Sequence, residues 1–262
     1  MPRIIRAAKW KAGALCLLAL CASLMPLRAA AQTQETFRRF LEEVWPEARA
    51  MGVSRRTFDA ALEGVTLDLT LPDLVIPGKT DHDARGQAEF TRTPAEYLGN
   101  AQLARLTEQA LKLRKEHAAD LEKIERDIGV QPQFVLAIWG RETAFGSHKL
   151  PYYAVQVLAN EAYLGRRKDM FRNEFLHALK MLEAGVPREK MRSSWAGALG
   201  LTQFMPSEYF TTAYDLDGDG RTDIWTNVGD ALASAANQLK QKGWVRGQSW
   251  GYEVKLPASM SC

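Results

Sequence analysis

The sequence predicts a mainly α-helical fold for this chain of 262 residues. Over most of its length apolar residues recur with the period of an α-helix, which is typical of helices that bury one face. Alternating runs of β-branched residues, which indicate strands, are scarce. Proline and glycine fall where the helical stripes end, as expected of helix boundaries. The chain is long enough to form one or two domains with a hydrophobic core.

The first 31 residues are predicted to be a secretory signal peptide. An apolar stretch, residues 12–27, lies between a basic start and small residues that favour cleavage before Gln32. The stretch is shorter than the roughly 20 residues that span a bilayer, so we expect export to the periplasm and no membrane-spanning anchor. Lipoprotein anchoring is not expected, because Leu20 precedes Cys21 where a lipoprotein signal needs a small residue.

The charge of the mature chain gives no support for nucleic-acid binding. The whole chain carries a formal charge of +3, but the signal peptide holds five of its 34 basic residues and none of its 31 acidic ones. Its removal leaves a formal charge of −2, so we expect no nucleic-acid partner. Cys16 and Cys21 leave with the signal, and Cys262 alone cannot form an internal disulfide.

Helical stripes and their boundary residues define the first part of the mature chain. Residues 37–44 form one stripe, which we expect Pro46 to close. Ser54 precedes a short predicted helix, since serine is a preferred N-cap residue. Residues 67–90 lose the helical period among Pro, Gly and Asp residues, which predicts a long loop.

The later helices begin at residues that favour helix starts. Thr93 and Glu96 have the spacing of a capping box, which predicts one long amphipathic helix that reaches Gly129. Pro132 opens the next helix, which we expect to run toward Gly146. Two further helices are predicted, at about residues 169–183 and 230–242.

One carboxylate lies on an apolar helix face. Val135, Ile138, Trp139 and Glu142 have the spacing that places them on the same side of a helix. A carboxyl group held there loses hydration when it ionises, so its pKa should rise toward the range that a general acid needs. Alternatively, Glu142 pairs with a basic group in the core or marks the exposed end of the helix. The spacing alone leaves these interpretations open.

Four ordered blocks of the sequence form a family signature. Residues 138–146 read IWGRETAFG, and residues 194–206 read SWAGALGLTQFMP. The other two blocks are residues 89–98 and the acidic loop that begins at Asp215. Together they resemble the lytic murein transglycosylase B family over roughly residues 35–257. The resemblance implies a lysozyme-like helical catalytic core with an N-terminal helical subdomain and an EF-hand-like calcium loop.

The resemblance also implies a domain organisation. After the signal peptide we expect a catalytic region at residues 32–257, with an N-terminal helical part at 32–130 and a core at 131–257. Residues 258–262 would form a tail. The family's catalytic region continues for several dozen residues more, so we expect this region to be truncated at its C-terminal end.

By this resemblance the chain is an enzyme, a peptidoglycan lytic transglycosylase with Glu142 as its catalytic residue. Such carbon–oxygen lyases cleave the MurNAc–GlcNAc β-1,4 bond and leave a 1,6-anhydro-MurNAc end, in cell-wall turnover or remodelling. One carboxyl group acts first as acid and then as base, and no second acid has a comparable apolar setting near Glu142 in the sequence. Two alternatives stay open: a hydrolytic muramidase of the same fold, and a truncated non-catalytic glycan-binding protein.

Five further residues are expected to bind substrate. By resemblance, Ser194 and Gln203 orient the catalytic carboxylate or the N-acetyl sugar, although they could instead only cap the turn before the next helix. Arg166 and Arg167 match an arginine pair that faces substrate in the family, and guanidinium groups suit the carboxylates of peptide stems. A solvated pair is the alternative. Tyr97 is expected either to stack on a sugar ring or to be buried as core.

An acidic loop has the spacing of a calcium site. Acids occupy positions 1, 3, 5 and 9 of the loop, and a glycine occupies position 6. The predicted ligands are Asp215, Asp217, Asp219, the carbonyl of Arg221, Asp223 and Asp230. Asp230 is included because Thr226 stands at position 12, where a calcium loop usually has a bidentate Glu. We expect a structural Ca²⁺, with a metal-free acidic turn as the alternative.

No organic cofactor is expected, since no glycine-rich phosphate loop follows a strand. The four histidines are far apart in the sequence, and no cysteine pair exists for zinc. The expected partner is the glycan strand of peptidoglycan. We expect a monomer, and peripheral association with the membrane or with cell-wall synthases is left open.

Overall fold

The computed structural model describes residues 33–76 and 93–248, together with residues 251, 254, 255 and 257. The predicted signal peptide, the tail and much of the predicted long loop lie outside the described residues, and so do the first four residues of the block at 89–98. Helices dominate the described part, as the sequence predicts. None of the described helices is both long and apolar enough to cross a membrane.

Eleven helices are described, and a short strand pair accompanies them. In chain order the elements are α1 (33–43), α2 (Trp45–Ala50), α3 (Arg55–Leu62), α4 (Pro94–Tyr97), α5 (Asn100–Glu116), α6 (Ala118–Asp127), α7 (Pro132–Thr143), β1 (Tyr152–Tyr153), α8 (Ala154–Leu164), α9 (Lys168–Glu183), β2 (Arg192–Ser193), α10 (Pro206–Thr212) and α11 (Val228–Gln241). A 3₁₀ turn, Arg188–Lys190, precedes β2. The chain divides into two compact units, which are Met1–Asp83 with Val155–Arg188, and Ala84–Ala154 with Glu189–Cys262. The predicted division at residue 130 stays a prediction.

The first unit is built around helix α9, which packs on α2 and α3. Its core holds four fully buried phenylalanines, Phe37, Phe58, Phe171 and Phe175. Ser54 caps α3 as predicted, because its hydroxyl accepts a hydrogen bond from the Thr57 N–H. Pro46 does not end the helical region, since it stands in the first turn of α2, where its missing N–H costs nothing.

The second unit has α11 at its centre, in contact with α6, α7 and α10. Thr93 and Glu96 form the predicted capping box, with the Thr93 hydroxyl accepting from the Glu96 N–H and the Glu96 carboxylate accepting from the Thr93 N–H. The predicted single helix from there to Gly129 is wrong, because it breaks at Gly99 and again at His117. The strands β1 and β2 pair antiparallel, with Tyr152 opposite Ser193.

Candidate active site

Glu142 is the last residue but one of α7. Val135 and Trp139 on the same side of the helix are buried, and Ile138 is half-buried, but the Glu142 side chain is exposed. The prediction that this side chain lies in the core is therefore wrong. The alternative prediction, that Glu142 lies at the exposed end of the helix, is correct. No hydrogen bond or ion pair to its carboxylate occurs within the described residues.

The protein surface on one side of Glu142 removes part of its hydration. This desolvation raises the pKa of Glu142 above its ordinary value, and the charge of the neighbouring Arg141 opposes the rise. The predicted direction of the pKa shift is thus correct, although the group reaches solvent. A carboxyl group that is accessible, unpaired and protonated more readily than usual can donate a proton to a ligand.

The backbone after Glu142 turns through conformations that most residues avoid. Ala144 and Phe145 both have positive φ angles, 47° and 57°, and Gly146 follows at 79°. Each non-glycine residue in this region costs about 1–2 kcal/mol, so the turn must be held by other contacts. The Phe145 ring packs on Gly140, where a Cβ atom would lie 2.7 Å from the ring. The close packing of Phe145 on a glycine therefore stabilises the helix end that carries Glu142.

Thr143 ties the same helix end to the second signature block. Its buried hydroxyl donates to the carbonyl of Leu201 at 2.7 Å and accepts from the Gly146 N–H at 3.0 Å. Both bonds fix the backbone next to Glu142. Thr143 was not among the site residues predicted from the sequence, where its one signal is a polar, β-branched side chain directly after the candidate catalytic glutamate.

Ser194 closes a turn at the start of the second signature block. Its N–H donates to the Ala198 carbonyl, and its hydroxyl accepts from the Ala198 N–H at 3.2 Å. Gly200 allows the chain to approach Ile224 closely, because a Cβ there would lie 2.6 Å from the Ile224 carbonyl oxygen. Ser194 thus has the turn-capping contact that was its alternative role. Neither Ser194 nor Gln203 is hydrogen-bonded to Glu142 in the described part of the chain.

Gln203 adopts a left-handed backbone conformation, with φ of 56°. Its side-chain amide donates to the Gly200 carbonyl at 3.1 Å, which braces the turn between the two residues. The side chain is half-buried. A non-glycine residue held at positive φ by its surroundings is typical of binding and catalytic sites, which makes Gln203 a stronger candidate than Ser194.

Tyr97 lies beside the residue that precedes Glu142. The Arg141 guanidinium carbon is 4.6 Å from the centre of the Tyr97 ring, which is a cation–π contact. Tyr97 is half-buried, so it is not a core residue. The two predicted site residues Tyr97 and Glu142 therefore belong to one neighbourhood of the second unit.

Arg166 and Arg167 belong to the first unit, at the corner between α8 and α9. Asp73 bridges them, with Arg166 Nε at 2.9 Å from one oxygen and an Arg167 terminal nitrogen at 3.5 Å from the other. Arg167 also lies over the Phe171 ring, 5.1 Å from its centre. Both guanidinium groups keep exposed surface, with side-chain exposures of 41% and 55%. The corner is thus an ordered, partly neutralised basic site that still reaches solvent.

The acidic loop brings three of its predicted ligands together. Carboxylate oxygens of Asp215, Asp217 and Asp230 lie within 4.8 Å of one another. Asp230 is buried at the start of α11, and burial together with the charges of Asp217 and Asp215 raises its pKa against the effect of two backbone N–H donors. These three acids offer the type of oxygen donor that Ca²⁺ prefers.

Two other predicted ligands, Asp219 and Asp223, are not among these three clustered carboxylates. Asp219 accepts from the Arg221 N–H, and Asp223 forms an ion pair with Lys190 at 2.8 Å. The pKa of Asp223 is lowered, because hydrogen bonds from Lys190 and Thr226 outweigh the effect of burial. Lys190 was not predicted as a partner of Asp223, since it lies 33 residues before it in the sequence.

Comparison with known proteins decides the family. Residues 36–262 match the family described as the transglycosylase SLT domain. The chain belongs to this family. Over 122 residues, 45% of the chain, it is 38% identical to membrane-bound lytic murein transglycosylase B of Escherichia coli K12, and this match covers 33% of that relative. The resemblance inferred from the four blocks is therefore confirmed.

Solved structures of lytic transglycosylases share the fold. SltB3 of Pseudomonas aeruginosa, in complex with NAG-NAM-pentapeptide, matches with a TM-score of 0.71 and 38% identity, over 86% of this chain and 58% of that one. SltB1 of the same organism matches with a TM-score of 0.63 and 27% identity, over 82% and 69%. The chain thus spans about a third of the E. coli relative and just over half of SltB3. The predicted lysozyme-like helical fold is confirmed.

Proposed function

We propose that this transglycosylase-domain chain is a periplasmic lytic transglycosylase that cleaves peptidoglycan glycan strands, with Glu142 as its single acid and base. One observation carries the proposal. The Glu142 carboxyl group reaches solvent, has no partner in the described residues and has a raised pKa, within a segment that resembles the catalytic segment of the family. The relatives named above are lytic transglycosylases, which supports the same activity here.

In the first step Glu142 acts as a general acid. Its proton passes to the bridging oxygen O4, which joins MurNAc C1 to GlcNAc C4, as the C1–O4 bond breaks, and the GlcNAc leaves with a hydroxyl group on C4. Positive charge develops on the MurNAc C1 and ring oxygen, and the new Glu142 carboxylate stabilises it. The raised pKa keeps a larger share of Glu142 protonated before this step.

In the second step the same group acts as a base. The Glu142 carboxylate removes the proton from the C6 hydroxyl of the MurNAc, and O6 forms a bond to C1. The product is a 1,6-anhydro-MurNAc end, and no water is consumed. Glu142 finishes protonated, as it began, so one carboxyl group is sufficient.

Residues of the second unit are proposed to hold the sugars. The strained backbone of Gln203 presents a polar side chain that suits an N-acetyl group, and Ser194 supports the turn that carries it. Tyr97 offers an aromatic face that a sugar ring can cover, with Arg141 already on the ring. In the first unit, Arg166 and Arg167 are proposed to bind carboxylates of the peptide stem. The peptide-bearing ligand of SltB3 supports such a contact.

The acidic loop is proposed to bind Ca²⁺ through Asp215, Asp217 and Asp230, together with the Arg221 carbonyl. Their clustered oxygens support this assignment, and so does the calcium complex of the E. coli lytic transglycosylase Slt35. A bound Ca²⁺ would offset two of the three negative charges of these carboxylates, and Asp230 would link it to the start of α11. We propose that Asp219 and Asp223 are outer residues that shape the loop. The role of the ion is structural.

The test is digestion of purified sacculi by the mature chain, with mass spectrometry of the released muropeptides. Anhydro ends are expected from the native chain, and about 10²–10⁴-fold fewer from Glu142→Gln in the same time. Reducing ends, heavier by one water, would instead identify a hydrolytic muramidase. Binding to sacculi without release of fragments, unchanged by Glu142→Gln, would identify a glycan-binding protein.

A further inference from the structure

A second glutamate, whose surroundings disfavour its ionised form, lies in the first unit and is not one of the residues assigned to the reaction. Glu161 is on α8 and has no solvent exposure. Both of its carboxylate oxygens are buried without a hydrogen-bond partner. An ionised carboxylate without partners is costly at such a position, so the neutral acid is the favoured form.

The surroundings of Glu161 are fixed by close backbone contacts. Gly165 approaches it so closely that a Cβ atom on Gly165 would lie 2.4 Å from a carboxylate oxygen of Glu161. The segment that carries Asp73 is joined to the same corner, because the Val75 N–H donates to the Leu164 carbonyl at 2.7 Å and Leu74 bridges to Gly165. Glu161 therefore lies beneath the corner at which Asp73 meets the arginine pair.

Charged groups from two other segments act on Glu161. Burial, together with the charge of Asp73, raises the pKa of Glu161 to about 8 against the opposing charge of Arg167. Helix α1 packs on α8 through rings, with Phe37 and Phe40 against Tyr163. Near neutral pH the proton on Glu161 therefore leaves Asp73 as the charged carboxylate beside Arg167 among the described residues.

The contact between Asp73 and Arg167 is loose. Arg166 lies 2.9 Å from Asp73, whereas the Arg167 nitrogen is 3.5 Å from it and the Arg167 side chain is 55% exposed. The guanidinium of Arg167 is therefore anchored on Phe171 but keeps hydrogen-bond donors for an incoming anion. A second negative charge beneath the corner would compete for those donors.

We propose that Arg167 binds a carboxylate group of the peptide stem, and that buried Glu161 sets the strength of this binding by remaining protonated. Ionisation of Glu161 places a new negative charge beside Arg167, which both repels the ligand carboxylate and competes for the guanidinium. Glu161 is thus a positioning residue that acts through Arg167. This inference rests on the proposed function, because the stem peptide is part of the proposed substrate.

The experiment measures affinity in a Glu142→Gln background, so that the ligand is not cleaved. Calorimetry with NAG-NAM-pentapeptide compares Glu161 with Glu161→Gln between about pH 6.5 and about pH 9, on either side of the pKa of Glu161. With Glu161 present, the affinity should fall about three- to tenfold over this range, the scale of one unit charge near a protein surface. With Glu161→Gln, which stays neutral, the fall should be absent, and the two affinities should agree at the lower pH.

Two controls make the result specific. The Arg167→Gln variant should bind the pentapeptide ligand more weakly and should lose the difference between Glu161 and Glu161→Gln. An uncharged tetramer of N-acetylglucosamine should bind with the same affinity at both pH values. Equal pH profiles with Glu161 and Glu161→Gln would overturn the inference, as would a loss of affinity in Glu161→Gln at the lower pH. Failure of the proposed function has a different signature, which is the absence of anhydro products from the native chain at every pH.

Discussion

Glu142 and Glu161 have the same side chain, but the first is exposed to solvent and the second is buried. Desolvation is the largest cause of a raised pKa at both residues, and neither carboxylate has a hydrogen-bond partner in the described part of the chain. Glu142, however, is exposed at the end of α7. Glu161 is fully buried within α8, where the charge of Asp73 adds to the effect of burial.

The comparison shows that a raised pKa alone does not identify a catalytic acid. A general acid must reach the atom that it protonates, and only Glu142 offers its proton at a surface. It also stands at a strained turn that Thr143 and Phe145 hold in place. Glu161 cannot reach a glycan, so its proton acts on the charges nearby and on the stability of the fold.

The largest expected effect comes from the accessible glutamate. Replacement of Glu142 with glutamine removes the transferable proton, and activity on sacculi should fall by about 10²–10⁴-fold, the usual contribution of acid–base catalysis. Because a general acid must be protonated, the activity of the native chain should decline as pH rises above the raised pKa of Glu142. Glu108→Gln, an exposed glutamate on α5 of the same unit, is the matched control and should keep full activity. If Glu142→Gln kept more than a tenth of native activity, Glu142 would not be the general acid, and access to solvent would not separate its role from that of Glu161.

The buried glutamate should dominate the pH dependence of stability. Its folded pKa is raised from 4.5 to about 8, so the folded chain binds this proton more tightly than the unfolded chain. The free energy of unfolding should therefore fall as pH rises through this window, and Glu161→Gln should avoid the fall. At 1.36 kcal/mol per pKa unit, the advantage of the glutamine should approach an upper bound of about 4–5 kcal/mol above the window, and vanish below it. Urea unfolding at several pH values measures this difference, and a constant difference would contradict the burial argument.

Calcium binding should stabilise the second unit more than the first. The acidic loop belongs to the unit of Glu142, so the ion should protect amide hydrogens of α11 and its neighbours from exchange more than those of the first unit. At a hundredfold excess over the dissociation constant, the stabilisation should be about 2.7 kcal/mol. Asp215→Asn should abolish the rise in melting temperature, and Asp169→Asn in the first unit should not. Equal protection of both units, or a rise that survives Asp215→Asn, would refute the assigned ligands.

The smallest of these effects concerns the tether of Glu142. Thr143→Val keeps the shape of the side chain but leaves the Leu201 carbonyl and the Gly146 N–H without their partner. We expect a stability loss of about 1–2 kcal/mol, and a fall in kcat of about tenfold with little change in KM. The control is Thr211→Val, which removes an exposed hydroxyl bonded to the Glu208 carbonyl. An unchanged kcat in Thr143→Val would show that the tether does not position Glu142.

Sequence predicted the elements whose signals are local. The caps at Ser54 and Thr93 and the start of α7 at Pro132 depend on residues a few positions apart, and all three are present. Helix α8 was not predicted, because it is buried on nearly all sides and therefore has no polar face to set the helical period. Glu161 was missed with it. The break at His117 was missed because the apolar stripe continues from α5 into α6 without a proline or glycine.

The candidate site was predictable in its residue types but not in its contacts. The resemblance pointed to Glu142, and helical spacing explained its apolar neighbours. The bond from Thr143 to Leu201 spans 58 residues, and the pair of Lys190 with Asp223 spans 33, so neither leaves a local pattern. Asp230 could be proposed as a loop ligand because Thr226 cannot supply the missing carboxylate, and its oxygens do lie beside those of Asp215 and Asp217.

The central claim is that Glu142 alone drives an intramolecular cleavage in which the sugar's own hydroxyl replaces water. Digestion of sacculi in water labelled with a heavy oxygen isotope tests this claim most directly. The native chain should release 1,6-anhydro-MurNAc ends without any label, and Glu142→Gln should release about 10²–10⁴-fold fewer of them. Labelled reducing MurNAc ends from the native chain would contradict the claim, because they would show that water attacks C1.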